Sequence, residues 1–231
     1  MKLVAIIQSN YIPWKGYMDI LRAADEFILY DDVQYTRRDW RNRNRIKTAG
    51  GTAWLTIPVE TGGQFQQAVK DVRVADNDWA RVHWETISRA YARAPHFKAQ
   101  RDRFEALYRS MTATHLSQIN RLFLEALCDA LNIPKNIRWS SDYELTGDKT
   151  ERLVNLCRQA GATDYLSGPS ARDYIDPALF EQAGIRLRWA DYTGYPEYPQ
   201  IHPPFEHQVS TLDLLFHCGP DSLRYMKDMR G

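Results

Sequence analysis

The chain has 231 residues, 44% of them hydrophobic, enough to bury a sizeable core within one domain or two small ones. Its formal charge of +1 and pI near 7.7 exclude a dedicated nucleic-acid or membrane-surface protein, which carries a large basic excess, so any electrostatic function must be local. Cys128, Cys157 and Cys218 make an odd, widely spaced set with no C-x-x-C pair, which suggests neither a disulfide framework nor a zinc site.

Residues 2–7, KLVAII, form a short continuous apolar run, the mark of a strand buried on both faces of a parallel sheet. The stretch QSNYIPWKGY follows, and then Tyr17, Ile20, Leu21 and Ala24 recur at helical spacing. EFILYDD reads as a second buried strand that ends in Asp31 and Asp32. These carboxylates are expected to hold neighbouring arginines, since TRRDWRNRNRIK sets Arg37, Arg38, Arg41, Arg43, Arg45 and Lys47 against Asp39 alone. Arginine forks suit phosphate and Trp40 can stack on a base or sugar, which points to a nucleotide ligand. WLTIPV, residues 54–59, is the expected third strand.

From Trp79 to Leu131 three amphipathic stripes, broken near Pro95 and at Thr112–Thr114, predict a helical layer inserted at about 78–131 into a single domain spanning 1–231. The strand pattern returns at NIRWSSD. A helix capped by Asp148 and Glu151 and stopped at Gly161 comes next, then the strand TDYLSG, the loop GPSARDYI, a helix near 178–183 and the strand IRLRWADY. Residues 193–209 are read as an ordered Pro-rich loop, and Ser210 with Asp213 as a capping box for the final helix. The alternation predicts an α/β fold with a mostly parallel, Rossmann-like sheet.

In an open parallel sheet, ligands bind beyond the carboxyl ends of the strands. That rule selects Gln8, Tyr11, Trp14, Lys15 and Tyr17 for substrate positioning, and Ser167 and Ser170 in a short loop whose amides and hydroxyls can cradle phosphate. Arg43, Asn44 and Lys47 are the expected anion binders, and Asp32, His83 and His202 the acid or base candidates. Cys218 ends a helix, the wrong pole for an activated thiolate. The histidines are scattered and no metal motif is present; with no charged leader and no window of 18 apolar residues, a soluble cytoplasmic protein is expected.

Together the blocks QSNYIPWKGYMDILRAADEFILYDDVQY, WRNRNRIK, WLTIPV, HWETISRAYARAPHF, TDYLSGPSARDYID and YPQIHPPFEHQVSTLDLLFHCGP resemble the WbqC-like family over nearly the whole chain. Ser9 and His217 depart from its pattern, standing where proline and asparagine are expected. The resemblance implies work on a nucleotide-linked amino sugar in surface polysaccharide or O-antigen biosynthesis. The implied step is N-acyl or N-aminoacyl transfer, with no tightly bound cofactor and with an acyl-carrier-protein or coenzyme A thioester as co-substrate. By architecture the opening strand, loop and helix are also similar to nucleotidylyltransferases whose His-x-Gly-His motif occupies the same place; here Tyr11, Trp14 and Tyr17 replace the histidines. Nucleotidyl or adenylyl transfer is thus one alternative, and a non-catalytic nucleotide-sugar-binding subunit another.

Overall fold

A computed structural model describes residues 1–63, 66–76 and 78–230. Five strands form one parallel sheet: β1 (Leu3–Ile7), β2 (Glu26–Leu29), β5 (Ile137–Trp139), β6 (Asp164–Ser167) and β7 (Arg186–Trp189). Their order is β5-β2-β1-β6-β7. The chain builds outward from β1 to β2 and β5, then returns to the other side of β1 for β6 and β7, so the direction of winding reverses between β1 and β6. This is the α/β, Rossmann-like arrangement expected, and it places a topological switch point at the carboxyl ends of β1 and β6.

The apolar run of β1 has no alternation because both of its faces are covered. Leu3 and Ala5, with Phe27 and Leu29 of β2, face one core; it is shared with α1 (Lys15–Ala23), the layer of α2 (Trp79–Tyr91), α3 (Phe97–Arg109) and α4 (Leu116–Leu131), and α7 (Thr211–Cys218). Val4, Ile6 and Ile28 face the other, built with α5 (Lys149–Gln159) and α6 (Pro177–Gln182). The helical layer lies in sequence between β2 and β5, bounded as the Pro95 and Thr112–Thr114 breaks predict. Asp148 and Glu151 form the expected capping box on α5, the Asp148 N–H donating to Glu151 Oε2 at 3.4 Å.

Two local readings are corrected. The basic segment, read as one anion-binding stretch, is a strand in its second half, β3 (Arg43–Thr48), paired antiparallel with β4 (Gly51–Thr56) in a separate hairpin. Alternation in RNRIKT explains it: Asn44 and Ile46 are buried beneath, while Arg43 and Arg45 stand on the outer face. At α7, Ser210 caps alone, its hydroxyl oxygen accepting from the Leu212 N–H at 3.2 Å. Asp213 instead turns into the core and accepts from the hydroxyls of Tyr91 (2.8 Å) and Tyr198 (2.7 Å) and from Gln200 Nε2 (2.7 Å). No helix of the described residues is long and apolar enough to cross a membrane.

Candidate functional site

The switch point opens into a cleft of about 990 Å³, at the upper end of the range of small-molecule sites. Its floor is the carboxyl end of β1 (Ile6, Ile7, Gln8) and of β6 with the turn behind it (Ser167–Ala171). The amino terminus of α5 closes one side with Asp148, Lys149 and Arg152; Arg41 and Trp40 close the other. Arg41, Lys149 and Arg152 are the cations among the lining residues, and Asp148 is their one carboxylate. Trp14, Tyr17, Tyr30, Tyr174 and Tyr192 supply flat apolar walls.

These groups are held by a polar framework under the opening loop. The Ser9 N–H donates to Asp31 Oδ1 at 2.8 Å, Ser117 closes a short hydrogen bond on the other carboxylate oxygen, and Asn120 Nδ2 bridges Ser9 Oγ and the Arg41 carbonyl at 2.9 Å each. The Arg41 guanidinium then spans Asn10 Oδ1 (2.5 Å), the Gln8 carbonyl (3.2 Å) and Asp39 (3.4 Å), which fixes its charge at the cleft edge. Ile12 is buried with φ +35°, a conformation that a β-branched residue adopts only when its surroundings impose it. Asn44 imposes it, donating from Nδ2 to the Tyr11 and Ile12 carbonyls at 3.1 and 2.9 Å. Past the bend, the Trp14 indole lies over Gly16, where a Cβ would collide with it, and packs at 5.0 Å from Tyr192 and 5.7 Å from Tyr195. Gly16 is therefore a close-approach glycine that lets Trp14 form the cleft wall.

Of the residues selected from sequence, Gln8, Trp14, Tyr17, Ser167 and Ser170 come together in the cleft. The others do not line it, and each has a structural occupation. The Tyr11 side chain is wholly buried among Trp79, His83 and Phe123. Lys15 is 2% exposed, donates to the Pro196 carbonyl at 3.1 Å and sits over the rings of Tyr195 and Tyr198. Burial lowers its pKa to about 8 against the raising effect of Asp19, one turn along α1. Arg43 donates to the Arg38 carbonyl and lies over Trp54; Asn44 clamps the opening loop; Lys47 ties the hairpin to the Pro204 carbonyl. Asp32 accepts from Lys70 and from the Ser140 hydroxyl at 2.6 Å, so neither it nor Asp31 accepts a hydrogen bond from the arginines of the basic segment as expected. His202 lies on the Pro-rich segment, away from the cleft walls.

His83 is 5% exposed and hydrogen-bonded through Nδ1 to the Tyr11 hydroxyl at 2.9 Å. Burial drives its imidazole down to about 4, against a backbone hydrogen bond at Thr56 that raises it. It is thus neutral and remote from the cleft, a packed core histidine instead of a general base. The sign of the resulting pH dependence is fixed. Above pH 6.5 the group is neutral folded or unfolded and contributes nothing; as pH falls from 6.5 towards 4 the unfolded chain takes up a proton that the folded chain refuses, and stability is lost. Urea denaturation should show the wild type losing about 3 kcal/mol relative to His83→Gln between pH 7 and pH 4. Parallel pH curves for the two proteins would show that burial does not control this imidazole.

Within the cleft the phenols stay protonated, since burial raises the pKa of Tyr30 and Tyr174 and pushes that of Tyr192 up to about 12. They act as donors and stacking surfaces. All three cysteines are buried, and burial raises Cys218 to about 11 and Cys128 to about 12. None is an activated nucleophile. Among the described residues no group of three or more His, Cys, Asp and Glu could hold a metal ion. The arrangement therefore suits binding of an anion with planar or ring-shaped parts, at a site where one carboxylate and neutral hydroxyls are available for proton transfer.

Sequence reasoning missed Lys149 and Arg152. Their one signal was the capping box itself, which marks the start of a helix and hence where positive charge and free amides converge. Arg41 was hidden among five other cations.

The chain is 50% identical over 230 residues to the uncharacterized protein Rv1507c of Mycobacterium tuberculosis (strain ATCC 25618 / H37Rv), covering 98% of this chain and 100% of that protein. No solved structure matches it. A family model described as WbqC-like protein family matches residues 8–225, from the loop that follows β1 to the last 3-10 turn, taking in both sides of the cleft. The chain belongs to the WbqC-like protein family.

Proposed function

We propose that this protein is a transferase of surface polysaccharide biosynthesis that binds a nucleotide-linked amino sugar in the switch-point cleft and acylates or aminoacylates its amino nitrogen from a thioester. The observation that carries the reading is the lining of that cleft: Lys149 and Arg152 at the amino end of α5 for a diphosphate, tyrosine and tryptophan walls for base and sugar, and Arg41 across from them. The polysaccharide setting and the thioester come from the family resemblance.

Burial of the cysteines favours direct transfer over an acyl-enzyme. The amine nitrogen attacks the thioester carbonyl carbon, the C–N bond forms, the C–S bond breaks, and the proton lost by nitrogen ends on the departing sulfur. Asp148, the carboxylate on the wall, is our candidate to take that proton first. Its position at the start of α5 places it on the cleft wall.

Two measurements test this. Calorimetry with nucleoside-diphosphate amino sugars should show saturable binding that the corresponding sugar without nucleotide lacks. Mass spectrometry after incubation with a panel of acyl and aminoacyl thioesters should show one N-acylated product. Binding without any product would favour the non-catalytic subunit, and exchange of labelled pyrophosphate into a nucleoside triphosphate would replace the proposal with nucleotidyl transfer.

A further inference from the structure

The hairpin displaced from the cleft has an outer face that the internal structure does not use. Trp40 and Trp54 are 38% and 46% exposed and lie with ring centroids 5.5 Å apart. The guanidinium of Arg43 sits 4.2 Å from the Trp54 ring centre, and that of Arg45 5.5 Å from it. Between residues 37 and 59 the chain carries six cations and one carboxylate, Asp39, already paired with Arg41, although the whole protein has a formal charge of only +1. Arg41 serves the cleft and Lys47 is buried against the Pro204 carbonyl, so four of these cations, Arg43 and Arg45 on the sheet and Arg37 and Arg38 in the flanking turn, lie on or beside this face.

We infer that this face docks an acidic carrier protein whose phosphopantetheine arm delivers the thioester into the cleft. The inference rests on the transferase reading above and specifies its donor. Three observations point to a protein surface and not to free coenzyme A. The face carries two solvent-exposed indoles, Trp54 on a two-stranded sheet and Trp40 in the turn before it, whereas small ligands take enclosed pockets. The guanidinium donors do not converge on a phosphate: one Nη2 of Arg43 serves the Arg38 carbonyl and one of Arg45 serves Gln208 Oε1 at 2.6 Å. Exposed indoles with arginines stacked on them are the composition of protein interfaces, and their positive field complements an acidic partner. The face is also continuous with the site, because Trp40 belongs both to the exposed indole pair and to the cleft wall. A flexible arm held at the hairpin would therefore reach the cleft along the wall that Trp40 and Arg41 form.

The test uses the full chain, a phosphopantetheinylated acidic acyl carrier protein, and the same acyl group on coenzyme A. Arg45→Glu, and separately Thr52→Glu, which adds negative charge at an exposed position of β4, are the variants. Titration of the holo carrier against the wild type, followed by carrier chemical shifts, should give binding that weakens with salt and weakens about tenfold or more in each variant. In turnover the KM for acyl-carrier should rise by the same factor, while the KM for acyl-coenzyme A and nucleotide-sugar affinity stay at wild-type values. Equal use of acyl-coenzyme A with no carrier binding, or carrier binding indifferent to both variants, overturns the docking face while leaving the cleft reading intact. Carrier binding that behaves as expected, in a protein that binds no nucleotide sugar, keeps the docking face and removes the cleft reading.

Discussion

Replacing Lys149 and Arg152 together by alanine is expected to weaken the binding of a nucleoside-diphosphate sugar by about 100-fold or more, read by calorimetry at fixed ionic strength. Hydrogen bonds to charged groups contribute roughly 1.5–3 kcal/mol each, and the two side chains lie on the first turn of α5, where the helix dipole already favours an anion. Their loss leaves, on that side of the cleft, the free amides of the turn. The native fold should survive the change. Lys149 is exposed, while Arg152 anchors through the Gly147 carbonyl, at 3.2 Å from Nε and 2.9 Å from Nη2, and against the Tyr30 hydroxyl, so a modest fall in stability is the structural cost. A double variant that binds within threefold of wild type would place the diphosphate elsewhere. In that event Arg41 is the remaining lining cation, and Arg41→Ala would be the variant that loses affinity.

Tyr11→Ala should cost about 3–5 kcal/mol of stability in denaturant titration, and Tyr11→Phe about 1–3 kcal/mol. The ring is completely buried between α2 and α4, edge-on to both Trp79 and Phe123. Its hydroxyl sits 2.9 Å from His83 Nδ1 and 2.5 Å from the Tyr108 hydroxyl. The neutral His83 accepts from Tyr11, and Tyr11 accepts from Tyr108, so each hydroxyl proton is used once. Truncation to alanine opens a cavity in the layer that supports the cleft; removal of the oxygen alone leaves His83 Nδ1 and the Tyr108 hydroxyl without this partner. Tyr11→Phe should bind nucleotide sugar with wild-type affinity, because the hydroxyl faces away from the cleft. Reduced affinity without reduced stability would return Tyr11 to the substrate wall.

These two outcomes separate neighbours in one short stretch. Gln8, Tyr11, Trp14, Lys15 and Tyr17 of the opening stretch share one expected role because they follow a buried strand, and the structure divides them. Gln8, Trp14 and Tyr17 face the cleft, whereas Tyr11 and Lys15 point into the core on the other side of the bend at Ile12. Spacing cannot reveal that division, since the loop has no period; it depends on the backbone turn that Asn44 holds from the hairpin.

What the sequence by itself determined was the layout of elements. The unbroken apolar runs at β1 and β2 required cover on both faces, hence a parallel sheet with helices on each side. Amphipathic stripes marked the helical layer, and the capping box marked the start of α5. Those signals are local, because burial of one face is written in the identities of residues three or four apart. Tertiary structure alone decided which charges serve the ligand. Six cations in a row looked like one anion site, but only Arg41 reaches the cleft, since strand alternation and pairing with β4 commit Asn44 beneath the hairpin and raise Arg43 and Arg45 on its outer face. Lys149 and Arg152, more than a hundred residues further on, complete the site because the sheet winds back at β6 and brings the start of α5 to the end of β1. A contact made by strand order has no trace in spacing, and for that reason the position of the site was legible while its charged residues, Arg41, Asp148, Lys149 and Arg152, were not.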